Sequence, residues 1–206
     1  MTHEEWNELL GEINRACLAA IPHDSDPSPF GFGLSPLVDR YPQHPISRLA
    51  TDAMARKSDW LGLPPATPAQ IERAEHRLGI QLPIEYRRFL EVSNGFLLPG
   101  SAISSYLPIE LVQPLSVNYP DVAAFWKTMM DGLENEVPDL LEGRLESTLQ
   151  ISGPPNDRSD FILLDDRAEN EAAELQMFRL GHVGPSEPFA MDTAMRNALA
   201  YLQWHT

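Results

Sequence analysis

Apolar and polar positions along the chain change period once. Up to about residue 95 they recur every three or four residues. After residue 100 they alternate or run together. The first pattern is Trp6, Leu9, Leu10, Ile13 and Cys17, one stripe of a helix that Pro22 ends. Thr2 and Glu5 fit a capping box at its start, with hydroxyl and carboxylate each meeting a free backbone N–H. Residues 22–45 hold six prolines and two glycines, which predicts a long surface loop. A short helix from Ile46 to Lys57 follows, with Leu49, Ala53 and Met54 facing inward. Thr67 and Gln70 form a second capping box, and Pro68 takes the first helical position, where its missing N–H costs nothing. Ile71, Ala74 and Leu78 carry that helix to Gly79, a left-handed stop. Pro83 starts another, with Tyr86, Phe89 and Leu90 as its stripe, and Asn94-Gly95 ends it.

The second half predicts strands at Leu107–Val112, Leu145–Ile151, Phe161–Leu164 and Leu175–Leu180. In the second of these, Leu145, Ser147, Leu149 and Ile151 share one face, while Glu146, Thr148 and Gln150 share the other. Phe161 to Leu164 is a continuous apolar run, as expected of a strand covered on both sides. Gly153 to Asn156 reads as a turn, and Val122–Met130 as a helix between strands. Phe189 to Leu202 closes the chain as a helix lined by Met191, Met195, Leu199 and Leu202. Helices first and strands after them predict an α+β fold.

Composition narrows the chemistry. The 206 residues suit one domain with an added arm. Fifteen bases against thirty acids leave a net charge of −15, which argues against a nucleic-acid binder and for a basic partner. Thirteen acids and three bases lie between Asp131 and Glu174, so two-thirds of the net charge sits in 44 residues. A single cysteine, Cys17, forms no internal disulfide. No apolar run is long enough to span a membrane, and the opening MTHEEW is acidic where a signal peptide is basic, so the expected address is the cytoplasm. The six histidines are scattered with no metal-ligand spacing, and no phosphate-cradling or nucleophile motif occurs. The expectation is a protein with no cofactor, no metal and no catalytic residues. The candidate partner-binding residues are Asp157, Asp160, Asp165, Asp166, Glu169 and Glu171, with Glu174 beside them. Carboxylates in such number can also hold a divalent cation or do acid–base work, and the plain alternative is a solvated face.

The stretch DWLGLPPATPAQIERAEHRLGIQLPIEYRRFLEVSNGF resembles the SMI1/KNR4 family, the core of the SUKH superfamily. The residues that carry the resemblance are Trp60, Ile71, Glu75, Leu78, Gly79, Leu82, Pro83, Tyr86, Phe89, Leu90, Asn94 and Gly95. The later TLQISGPPNDRSDFILLDD is similar to bacterial members. The resemblance implies a mixed or largely antiparallel sheet packed against helices. It divides the chain into an N-terminal helix and Pro-rich loop, 1–45, and a family-like domain, 46–206. By type, Trp60, Ile71, Leu78, Tyr86, Phe89 and Leu90 are expected in the core, and Glu75 to pair with an Arg or cap a backbone group. Bacterial members are implied to be immunity proteins that bind and neutralise toxins, often nucleases. Fungal relatives are implied to be interaction proteins in cell-wall signalling. Three functions stay open: a toxin-occluding immunity protein, a regulatory interaction module without a toxin, and an acidic hydrolase using the C-terminal carboxylates.

Overall fold

Local signals set the helix ends. The Thr2 Oγ1 accepts from Glu5 N at 3.2 Å and the Glu5 carboxylate accepts from Thr2 N at 2.6 Å, opening α1, His3–Ala20. A computed structural model of the chain describes residues 1–20, 34, 37–55, 57–98, 105–131, 145, 147–153, 161–169, 175–181, 184–185 and 189–205. His44 caps α2, Pro45–Met54, by accepting from Ile46 N through its ring. The reciprocal Thr67–Gln70 box opens α3, Pro68–Leu78, and Gly79 closes it at φ 73°. The helix α4, Ile84–Val92, follows. After it come β1, Gln113–Pro114, the single turn α5, Leu115–Asn118, and α6, Pro120–Asp131. The strands β2, Leu149–Gln150, β3, Phe161–Glu169, β4, Leu175–Gly181, and β5, Gly184–Pro185, precede α7, Met191–His205.

The five strands form one sheet in the order β1-β2-β3-β4-β5, with every neighbouring pair antiparallel. The architecture is α+β. Gly62, Phe96, Tyr106 and Ser152 extend it as a row of single bridges, which ties the segment after Trp60 and the Asn94-Gly95 turn to the sheet. Alternate strand residues point to opposite faces. Leu149, Ile162, Leu164 and Met177 join a large core with α1, α2, α3, α4 and α7. Leu163, Phe178 and Leu180 join a smaller core with Leu115, Val122, Ala123 and Trp126 from α5 and α6, and with Leu145. The sheet is therefore covered on both sides, as the Phe161–Leu164 run predicts.

At the centre of the large core, Phe89 meets Trp6 edge-on at 5.7 Å, stacks on Tyr86 at 6.1 Å and tilts against Tyr106 at 5.5 Å. Ile71, Tyr86, Phe89 and Leu90 are buried as expected. Three expectations need correction. Trp60 stays 36% exposed, although its ring meets Phe96 in an edge-to-face contact at 5.4 Å. Leu78 is only partly buried at the rim. Met54 is 38% exposed, because the inward stripe of α2 is Ile46, Ala50 and Ala53 and Met54 sits beside it.

Strand bounds also shift. Residues 107–112 are no strand. Ile109 N donates to Asn94 Oδ1 at 2.8 Å, and Arg77 donates to the carbonyls of Val112 and Ile109 at 2.8 and 2.9 Å. Leu107 N still donates to the Ile151 carbonyl at 2.9 Å, but beyond it Leu111 N turns back to the Pro108 carbonyl and side chains take up the groups of Ile109 and Val112, so the run folds as a turn. Of Leu145–Ile151 only Leu149 and Gln150 are strand. Leu145 falls into the smaller core, away from Leu149 and Ile151. On the polar face Thr148 and Gln150 are buried too, and Glu146 lies outside the described residues. Gln150 accepts from Asn118 Nδ2 at 2.9 Å and donates to the Ser152 carbonyl at 2.8 Å, under the cover of α5. Within the Pro-rich segment, Leu34 and Leu37 are buried and residues 37–40 make a helical turn; residues 21–33 lie outside the described residues, as does 154–156 of the expected turn.

Candidate functional site

The residues of the 60–95 stretch turn out to be structural. Glu75 does both of its expected jobs: its carboxylate accepts from Leu82 N at 2.8 Å and pairs with Arg87 at 3.5 Å. It therefore fixes the turn between α3 and α4. Asn94 is buried, donates to the Glu110 carboxylate at 2.9 Å and accepts from Ile109 N. Gln70 donates to the other oxygen of Glu110 at 2.8 Å. Glu110 thus joins the start of α3 to the turn after α4. Sequence reasoning missed Glu110 and Arg77, since neither follows a capping or stripe pattern.

The predicted acidic site divides. Asp157, Asp160, Glu171 and Glu174 lie outside the described residues. Asp166 and Glu169 have backbone positions on β3, after the regular pairing at Leu164↔Met177 and around a register shift that ends at Glu169↔Leu175. Asp165 is a correction. It is 1% exposed, where a docking residue was expected at the surface. Period two places it on the Leu163 side of the strand, the side covered by the smaller core. It is not without a partner there. An acid so enclosed belongs to the interior of the protein.

Acids do reach the surface elsewhere. The outward side of α1 carries Glu4, Glu5, Glu8 and Glu12, all exposed. Hydrogen bonds from Thr2, backbone first and hydroxyl second, hold the Glu5 carboxyl below its usual value, and the charge of Arg196 on α7 adds to this. The helix α7 packs along α1 in the most extensive helix–helix contact among the described residues. It exposes Tyr201 at 39% and Trp204 at 86%. A signal for Trp204 is present in the sequence: at 100° per residue it falls far from the stripe of Met191, Met195 and Leu202.

Titratable groups inside the protein are quiet ones. Burial pushes the Cys17 thiol up to about 12, which makes it a poor nucleophile. Glu85 sits where burial raises its carboxyl, but hydrogen bonds and charge from the N-terminal ammonium at 2.8 Å and from Arg88 at 2.8 Å outweigh that and leave it below its ordinary value. It also accepts from the Trp6 indole at 3.3 Å. Among the described residues no group of three or more His, Cys, Asp or Glu converges as a metal site, and no helix is long and apolar enough to cross a membrane.

A comparison with curated proteins finds no match. The pattern of the SMI1 / KNR4 family (SUKH-1) matches residues 65–189, more than half of the chain. That stretch holds the α3–α4 pair with its Glu75 and Asn94 ties and all five strands, while α1 and α7 lie outside it. The chain belongs to the SMI1 / KNR4 family (SUKH-1).

Proposed function

We propose that this protein is an immunity-type binding protein that neutralises a cognate toxin, such as a nuclease, by docking on it and covering its active site. Family membership over residues 65–189 is the observation that carries the reading. The net charge of −15 supports a basic partner. The protein works by occupation, with no catalytic step of its own and no cofactor, in the cytoplasm where the toxin would act. Charge speeds the encounter, and a buried apolar or aromatic patch sets the lifetime of the complex.

The acids between Asp131 and Glu174 are proposed as part of the docking surface, Asp165 excepted. Co-expression with the product of a neighbouring toxin gene tests the function: rescue of growth together with a stable complex on purification is the expected result. Growth arrest despite full expression of this protein would sink the reading. The surface is tested by converting Asp157, Asp160, Asp166 and Glu169 to Lys. Association should slow by about tenfold at low salt, and added salt should shrink the difference.

A further inference from the structure

We infer that the turn at residues 37–41 is a strap that fastens the cover of the sheet's second face, with Arg40 as its clasp. The inference stands apart from the toxin reading. The turn is seated on the large core. Leu37 is fully buried there, and a Cβ at Gly153, after β2, would come within 3.2 Å of its side chain. Tyr41 N donates to the Leu37 carbonyl at 3.0 Å, and the Ser47 hydroxyl on α2 meets the Leu37 and Tyr41 carbonyls at 3.0 and 2.5 Å. These bonds satisfy the backbone of the turn and fix its place on α2. From that seat one side chain crosses to the smaller core. Arg40 donates to the Asn118 carbonyl, and its guanidinium lies 4.8 Å from the centre of the Tyr119 ring. Asn118 ends α5, and Tyr119 links it to α6, which starts at Pro120. The Asn118 amide is itself bonded to Gln150 on β2. The junction of the two covering helices is thus pinned by the sheet through a side chain and by the strap through a carbonyl and a ring. Both groups that Arg40 holds are neutral, and no ion pair among the described residues includes it. A guanidinium so placed satisfies a carbonyl at a helix end and is attracted by the ring face. Seat and clasp belong to different cores, so the strap links them. It helps to keep Leu115, Val122, Ala123 and Trp126 on Leu163, Phe178 and Leu180. It lies before residues 65–189 and the cover lies within them, so a segment outside the family pattern secures an element inside it.

The test uses the whole protein carrying Ala123→Cys on α6, where the introduced thiol reports the smaller core and native Cys17 reports the large one. A disulfide reagent is added in buffer and the two labelling rates are read by mass. Arg40→Ala should speed labelling at position 123 by roughly fivefold and leave Cys17 as slow as before. Arg40→Lys should fall between the two, since an ammonium keeps the attraction to the ring and loses the planar fork. Equal labelling at position 123 with and without the Arg40 side chain overturns the inference. Acceleration of both thiols by the same factor also overturns it, because Arg40 then supports the fold as a whole. If Ala123→Cys does not fold, trypsin acting on the otherwise native chain makes the same comparison. Lys127 on α6 and Arg73 on α3 are both exposed. Arg40→Ala should speed cleavage after Lys127 and leave cleavage after Arg73 unchanged, and no preferential gain at Lys127 is the overturning result there.

Discussion

Two glycines of the same left-handed type do different jobs. Gly79 has φ 73° and open space around the position of a side chain. Gly95 has φ 94°, and a Cβ there would sit 2.8 Å from Pro108 N and 3.0 Å from the Tyr106 carbonyl. Gly79→Ala should therefore cost only the backbone strain, about 1–2 kcal/mol. Gly95→Ala should cost clearly more, because the strand-like approach of Phe96 to Tyr106 must open as well. Chemical denaturation of the two variants side by side checks the order. Phe89→Ala removes the ring on which Trp6, Tyr86 and Tyr106 converge and should cost about 3–5 kcal/mol. Cys17 offers a plainer readout. Its thiol should ignore a disulfide reagent in the folded protein and react once denaturant is added; rapid labelling in buffer would contradict its burial on α1. Cys17 and Phe89 were both legible in the sequence from helical spacing. Trp60 was not, because a type-based rule does not tell a ring left one-third open from a ring packed all round.

At the scale of elements, caps, turns and the two later strands were readable, with Phe161–Leu164 and Leu175–Leu180 inside the observed β3 and β4, and the two earlier strands were not. Both capping boxes, the Gly79 stop and the Asn94-Gly95 turn stand where the spacing puts them, since each depends on residues within a few positions. The run 107–112 shows the limit. Ile109 and Val112 give backbone groups to Asn94 and Arg77, one 15 residues from Ile109 and the other more than 30 from both, and no local pattern announces that. The cap of α2 gives a pH prediction. Burial lowers the His44 pKa, partly opposed by the charge of Glu110. The unfolded chain therefore binds the proton more readily than the folded one. Stability should fall as pH drops below the ordinary histidine value of about 6.5 and level off below the folded value. His44→Ala should lose about 1 kcal/mol of cap and flatten that limb. Glu85 acts lower on the scale. Its folded pKa is depressed, so its contribution is present above the ordinary glutamate range and lost as pH falls through the folded value. Glu85→Gln should flatten the acid limb of a stability–pH profile while leaving the limb near 6.5 in place.

For the whole molecule, a count of acids along the chain does not say which of them the fold encloses. Counting charges along the chain treats Asp165 and Asp166 alike. Asp165 alone is seen to be enclosed, 1% exposed on the Leu163 side of the strand, and that side is covered by α5 and α6, which come from far earlier in the chain. The division of the interior into a large and a small core carries one more consequence, in time rather than in space. Among the described residues eight buried ones form the small core, and α5 and α6 meet the sheet there. A patch of that size can open without unfolding the rest. Backbone amides of α6 should exchange with deuterium well before those of β3, which the large core also holds from its other side. Asn118 and Gln150 would part in that opening, and the sheet face beneath would breathe while the α1, α4 and α7 side stays shut.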